Sequence, residues 1–136
     1  KYLHLAVMNA YEDIGVCIHS HAVHATMFAV AQQNIPSCID EFTVYLGGDI
    51  RCTEYAPSGS PDLAEQVVKA LEDRGAALIA NHGMVAIGTT MERTMHNTAL
   101  VERSAQIIWG GKQLGAIYPL PEKVNANFAS VYPFMR

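Results

Sequence analysis

In residues 1–11 the apolar positions Leu3, Val7 and Met8 recur at helical spacing, so the spacing predicts a helix already under way. Gly15 interrupts it. The run Val16-Cys17-Ile18, continued to Ser20, is short and apolar, which predicts a buried strand. Residues 22–33 return to a helical composition, and Pro36 follows soon after. "FTVYL" at 42–46 is dense in β formers before Gly47-Gly48 and predicts a strand, and "DIRCTEY" at 49–55 predicts another. The stretch "APSGSPDLAEQVVKALEDRG" carries the fullest helix signature. Ser60 can cap, Pro61 suits the first helical position, and Asp62 suits the first turn. Leu63, Val67, Ala70 and Leu71 share a face, and Gly75 ends the pattern.

Residues 76–80 and 84–88 read as two short buried strands hinged at Asn81-His82-Gly83. Met91 to Leu114 reads as one long helix, with Met95, Ala99, Ala105 and Ile108 on related faces. Pro119 and Pro121 then set off a last helix over roughly 122–132. Strands and helices alternate, but several links are too short for a parallel crossover. The pattern therefore predicts a layered α/β domain with a mixed, mostly antiparallel sheet.

The chain has 136 residues, half of them hydrophobic and 16% charged, which fits one folded core and excludes a disordered chain. A net charge of −4 gives nucleic acid and anionic membranes nothing to bind. Cys17, Cys38 and Cys52 are odd in number and lack metal-finger spacing, so reduced thiols and a cytoplasmic location are expected. No apolar run is long enough to span a membrane, and the first residues do not form a signal peptide. The chain does not open on methionine, so Lys1 is expected to be an internal start within a longer protein.

The sharpest chemical signal is "HSHAVH", three histidines within six residues at the end of the first strand. Side chains alternate along a strand, so His19 and His21 share one side, about 7 Å apart along the chain, and can close on one metal ion. His82 is the best third ligand, because it follows an apolar strand and precedes a glycine where the backbone turns. Three protein ligands with open positions describe a catalytic metal site, with zinc the first choice. Iron, copper and nickel suit imidazole too. His24 reads as a supporting or core histidine, and His4 and His96 as packing or solvent-exposed positions. Asp40-Glu41 is a weak candidate for a general base, Cys17 reads as a core residue, and Ser58-Gly59-Ser60 reads as a helix cap.

Taken together, "VCIHSHAVHATMFAV" and the later "ALIANHGMVAIG" closely resemble the class II aldolase/adducin family. The resemblance runs over nearly the whole chain, with both histidine motifs in order. It implies a three-layer αβα sandwich around a mixed, mostly antiparallel sheet, of which residues 1–136 would be the C-terminal part of a single class II aldolase-like domain. It implies that His19, His21 and His82 hold Zn2+ or another divalent metal. The implied activity is cleavage of a ketose 1-phosphate, such as L-fuculose 1-phosphate, to dihydroxyacetone phosphate and an aldehyde through a metal-stabilised enediolate. A homotetramer with active sites between subunits is implied as well, and Tyr132 matches a C-terminal tyrosine that reaches a neighbour's site.

Family members extend further at the N-terminus. That segment carries the phosphate-binding loops and a proton-transferring glutamate, which alignment places immediately before Lys1. The parent protein is thus expected to read Glu-Lys-Tyr-Leu-His there. Two positions depart from the aldolase pattern: Asp40 stands where a tyrosine is usual, and Ser58 where a phenylalanine lies beside the substrate. The same ligand set serves epimerases, dehydratases and decarboxylases of the family. A non-enzymatic, adducin-like interaction domain is the alternative within the family, though such relatives generally lack the full histidine set. A metal-dependent oxygenase is the alternative outside it.

Overall fold

The computed structural model describes residues 2–136. Its elements run α1 (Tyr2–Ala10), β1 (Val16–Ser20), α2 (Val23–Val30), α3 (Asp40–Leu46), β2 (Arg51–Cys52), α4 (Pro61–Leu71), β3 (Ala76–Ile79), β4 (Gly83–Gly88), α5 (Met91–Leu114), α6 (Glu122–Ala129) and α7 (Tyr132–Met135). The four strands form one sheet in the order β1-β4-β3-β2. β4 pairs antiparallel with both β1 and β3, and β2 joins β3 in parallel. The sheet is therefore mixed and mostly antiparallel.

Alternation along β3 and β4 divides the interior into two layers. Ala76, Leu78, Met84 and Ala86 face Phe28 of α2, Phe42 and Leu46 of α3, and Leu100, Val101 and Ile108 of α5. The opposite positions, Ala77, Ile79, Val85 and Ile87, face Val7 of α1 and Leu63, Val67 and Leu71 of α4. Helices thus cover both faces, which is the three-layer αβα sandwich that the sequence resemblance implies. Every residue of β3 and β4 is buried, so both strands read as unbroken apolar runs. A fully buried Leu71 or Val67 contributes about 1.5–3 kcal/mol of hydrophobic stabilisation.

The clearest predicted helix forms as its signals require. The Ser60 side chain accepts the Leu63 N–H at 3.1 Å, and Pro61 opens the helix. Met91 to Leu114 is one helix with Thr90 as its cap. Residues 42–46 depart from the expectation: they lie in helix α3, not in a strand. Three features outweigh their β propensity. Asp40 and Glu41 sit in the first turn, where carboxylates oppose the helix dipole. Phe42 and Leu46 are one turn apart and both buried. Gly47, at φ 85°, closes the helix with its N–H on the Thr43 carbonyl at 2.8 Å.

The strand expected over 49–55 shrinks to the two residues of β2, preceded by an isolated bridge between Ile35 and Ile50. The helix expected over 22–33 is shorter at both ends, and the one over 122–132 breaks into α6 and α7 at Ser130-Val131. Tyr132 is 3% exposed. Its ring closes on two glycines: a Cβ on Gly47 would stand 2.9 Å from Tyr132 Cδ1, and one on Gly75 would stand 3.3 Å from the hydroxyl.

Candidate metal centre

The site lies where β1 ends and β4 begins. The antiparallel register sets His19 opposite Val85 and Ser20 opposite Met84. Continued by one residue, it brings His21 alongside Gly83. The approach is so close that a Cβ on Gly83 would lie 2.5 Å from the Ser20 carbonyl oxygen and 2.9 Å from His21 Cδ2. His82 occupies the tight turn between β3 and β4, its N–H on the Ile79 carbonyl at 3.0 Å. Asn81 before it adopts φ 57°, a left-handed conformation that asparagine tolerates. The Asn81 N–H donates to the Ala29 carbonyl at 3.0 Å, and its side-chain oxygen accepts from Gln32 at 2.8 Å. The buried Thr53 hydroxyl accepts the Ala80 N–H at 3.0 Å. The third histidine is therefore carried on a turn tied down on both sides.

These constraints bring the three imidazoles together. Ring centroids are 4.8 Å apart for His19 and His21, 4.8 Å for His19 and His82, and 4.9 Å for His21 and His82. One nitrogen from each ring lies within 4.8 Å of the others. His19 Nδ1 is 2.9 Å from the Met84 carbonyl oxygen, which can only accept, so Nδ1 carries the proton and Nε2 presents its lone pair. That Nε2 is 3.0 Å from His21 Nε2. Two nitrogens bound to a tetrahedral zinc at about 2.0–2.1 Å would stand about 3.3 Å apart. The donor set therefore fits a divalent ion in type, and the His19–His21 pair fits it in spacing. Burial holds the His19 pKa below the ordinary histidine value, aided by the His82, His21 and His4 rings and opposed by the Met84 hydrogen bond. The neutral, ligating form is favoured.

A cleft of about 150 Å³ opens beside the triad, lined by His19, His82, His4, Ser58, Ser60 and Leu63 among others. His4 comes from the exposed side of α1 and was not legible as a site residue, because nothing in its spacing ties it to the other histidines. Ser58 was legible only through the family resemblance. A larger groove of about 540 Å³ beside Tyr11, Val68 and Lys69 is apolar and brings no ligating groups together. The clustered imidazoles adjoin the smaller cleft.

The remaining candidates fall elsewhere. His24 stands outside the triad, with Nδ1 2.7 Å from Glu102 Oε1. Asp40 and Glu41 are exposed on the first turn of α3. Burial pushes the Cys17 thiol up to about 11, which makes it a poor nucleophile. His96 packs its ring edge-on to Tyr45 at 4.7 Å. Glu102, which sequence reasoning passed over as one charge on a long helix, receives three N–H bonds at the start of α2.

The family model for the class II aldolase and adducin N-terminal domain matches residues 2–109. This chain belongs to that family. It is 32% identical over 104 residues to the L-fuculose phosphate aldolase of Escherichia coli K12, covering 76% of this chain and 48% of the relative. It is 28% identical over 130 residues to a 5-deoxy-D-ribulose 1-phosphate aldolase of Bacillus thuringiensis serovar kurstaki, covering 96% and 61%. A solved L-fuculose 1-phosphate aldolase superposes with a TM-score of 0.91 at 32% identity, over 98% of this chain and 62% of that one. The chain thus spans about half to three-fifths of the length of these aldolases.

Proposed function

We propose that this chain is the metal-holding C-terminal part of a single class II aldolase-like domain. In this reading the complete protein cleaves a ketose 1-phosphate to dihydroxyacetone phosphate and an aldehyde. The observation that carries the reading is the convergence of His19, His21 and His82, with His19 held by the Met84 carbonyl in the tautomer that ligates through Nε2. A divalent cation held there, Zn2+ in the first instance, supplies Lewis-acid stabilisation of the negative charge that develops on a substrate oxygen as the carbon–carbon bond breaks. Names of relatives point to L-fuculose or 5-deoxyribulose 1-phosphate as the substrate type.

This chain's own residues hold and shape the site. Met84 fixes one ring by its carbonyl, Gly83 lets His21 close against the strand, and the tied turn presents His82. His4 offers a ring nitrogen on the cleft wall, and Ser58 a hydroxyl where an aromatic group would narrow it. The proton-transferring glutamate and the phosphate grip belong, in this reading, to the segment before Lys1. The protein is read as a cytoplasmic homotetramer. Among the described residues no helix is long and apolar enough to cross a membrane, and all three cysteines are free.

The test is aldehyde release from a panel of ketose 1-phosphates by the complete protein, with metal content measured in parallel. Metal-dependent release of aldehyde and dihydroxyacetone phosphate is expected. Stoichiometric metal with epimerised, dehydrated or decarboxylated products would move the protein to another reaction of the same family. Absence of bound metal would end the enzymatic reading.

The family resemblance assigns Tyr132 to protonation of the departing aldehyde in a neighbouring subunit. Within this chain Tyr132 is buried, and its hydroxyl finds no partner among the described residues. Burial pushes that hydroxyl's pKa up to about 12, with Arg136 opposing. Tyr132→Phe is therefore expected to leave turnover close to wild type and stability unchanged or slightly improved, since the change deletes an unpartnered buried hydroxyl. A general acid would instead be worth about 10²–10⁴ in rate. A loss of that size at full metal content would establish the acid role.

A further inference from the structure

We propose that Glu102 is a positioning residue for the metal centre. From α5 it clamps the first turn of α2 and so fixes the segment that carries His21. The inference rests on the metal-holding reading of the histidine triad.

β1 ends at Ser20, and α2 begins at Val23. His21 lies in the two-residue link between them, outside the strand hydrogen bonds that hold His19. A helix start normally needs a capping side chain for its free N–H groups. Ala22 at the cap position supplies none. Glu102 does so from across the layer: Oε1 accepts the His24 N–H at 3.0 Å, and Oε2 accepts the Ala25 N–H at 2.9 Å. Oε1 also accepts from His24 Nδ1 at 2.7 Å. All three donors lie within four residues of His21. Glu102 itself is carried on a helix whose neighbouring residues Val101 and Ala105 are completely buried, so the clamp is anchored in the core.

The other end of α2 touches the site as well. The Ala29 carbonyl accepts the Asn81 N–H, one residue before His82. α2 therefore spans from the His21 link to the His82 turn, and its placement sets the separation of two ligands. Only the His21 end depends on a single side chain. The Ser20 hydroxyl, which accepts the Ala22 N–H at 3.2 Å, is too local to fix the helix direction. A simple cap would stabilise the fold without touching metal affinity, whereas a clamp on a ligand segment must affect both.

The experiment compares Zn2+ affinity, by competition with a chromophoric chelator, for the full wild-type chain, Glu102→Ala, Glu102→Gln and Thr90→Ala. Thr90 caps α5 more than three turns away, with its hydroxyl accepting the Arg93 N–H, so it controls for loss of an ordinary cap. Glu102→Ala is expected to weaken Zn2+ binding about 10–100-fold, as loss of outer-shell partners does. Glu102→Gln keeps one acceptor oxygen and should fall between alanine and wild type. It also carries the comparison if the alanine variant does not fold. Thr90→Ala should bind Zn2+ like wild type.

Hydrogen exchange on the metal-free proteins supplies a readout independent of the metal, in which the His24 and Ala25 amides should lose protection in both Glu102 variants. Wild-type Zn2+ affinity in the Glu102 variants would reduce the residue to a helix cap and overturn the proposal. So would an equal loss in Thr90→Ala, or unchanged protection of the two amides. A wild-type chain that takes up no stoichiometric Zn2+ would overturn the triad reading itself, an outcome visible before any variant is made.

Discussion

Replacing His82 by alanine is expected to remove stoichiometric metal and, in the complete protein acting as the lyase proposed above, to lower aldehyde release by about a thousandfold. The magnitude follows from the several kcal/mol of charge stabilisation that a bound divalent ion supplies, each 1.4 kcal/mol being tenfold in rate. Metal affinity should fall by more than the 10–100-fold typical of an outer-shell partner, since a direct ligand is lost. The fold should persist. His82 is only half-buried in its turn, and the turn is held by the Asn81 and His82 backbone N–H groups. Thermal unfolding of the metal-free variant should therefore match that of metal-free wild type. Chelation should reproduce the defect in wild type, and added metal should reverse it there but not in the variant. Full metal content with full cleavage in His82→Ala would show that the third ligand is another residue.

Gly83→Ala is expected to damage stability and site together. The added methyl would meet the Ser20 carbonyl oxygen at 2.5 Å, and that atom belongs to the paired backbone of β1. It cannot swing aside as a long side chain could. Overpacking of this kind costs about 1–3 kcal/mol, and with a backbone partner the upper half of that range is expected, equivalent to a fall in Tm of roughly 10 °C. The methyl would also stand 2.9 Å from His21 Cδ2 and push that ring off the triad. Metal affinity, measured well below the lowered Tm, should drop as well. A variant with the lowered Tm but wild-type metal affinity would show that His21 moves without cost to the site.

The sequence made the site more legible than the fold around it. His19 and His21 could be placed on one side by strand alternation alone, and the apolar runs on either side of His82 marked it as a turn residue. Those signals are local. α3 departs from the strand its composition predicts because that β-rich composition is local too, whereas its burial against α5 and α6 and its left-handed Gly47 terminus are features of the assembled chain. The shortening of 49–55 to two paired residues has the same origin, because the parallel ladder with β3 is confined to Arg51 and Cys52. His4 and Glu102 were invisible for a related reason. Each acts across a layer on residues distant in the chain, and one sequence carries no mark of such a contact.

The wall formed by Ser58, Gly59 and Ser60 sets limits for anyone who would reshape the cleft beside the histidine triad. Ser60 is committed, since its hydroxyl already serves the Leu63 amide. Gly59 sits at φ 80°, so any side chain there would be strained whatever the space around it. Ser58 is exposed and its side chain makes no hydrogen bond among the described residues, so it is the one position of the three that can be randomised freely. The shape of the cleft on that side should therefore change most easily through a single codon.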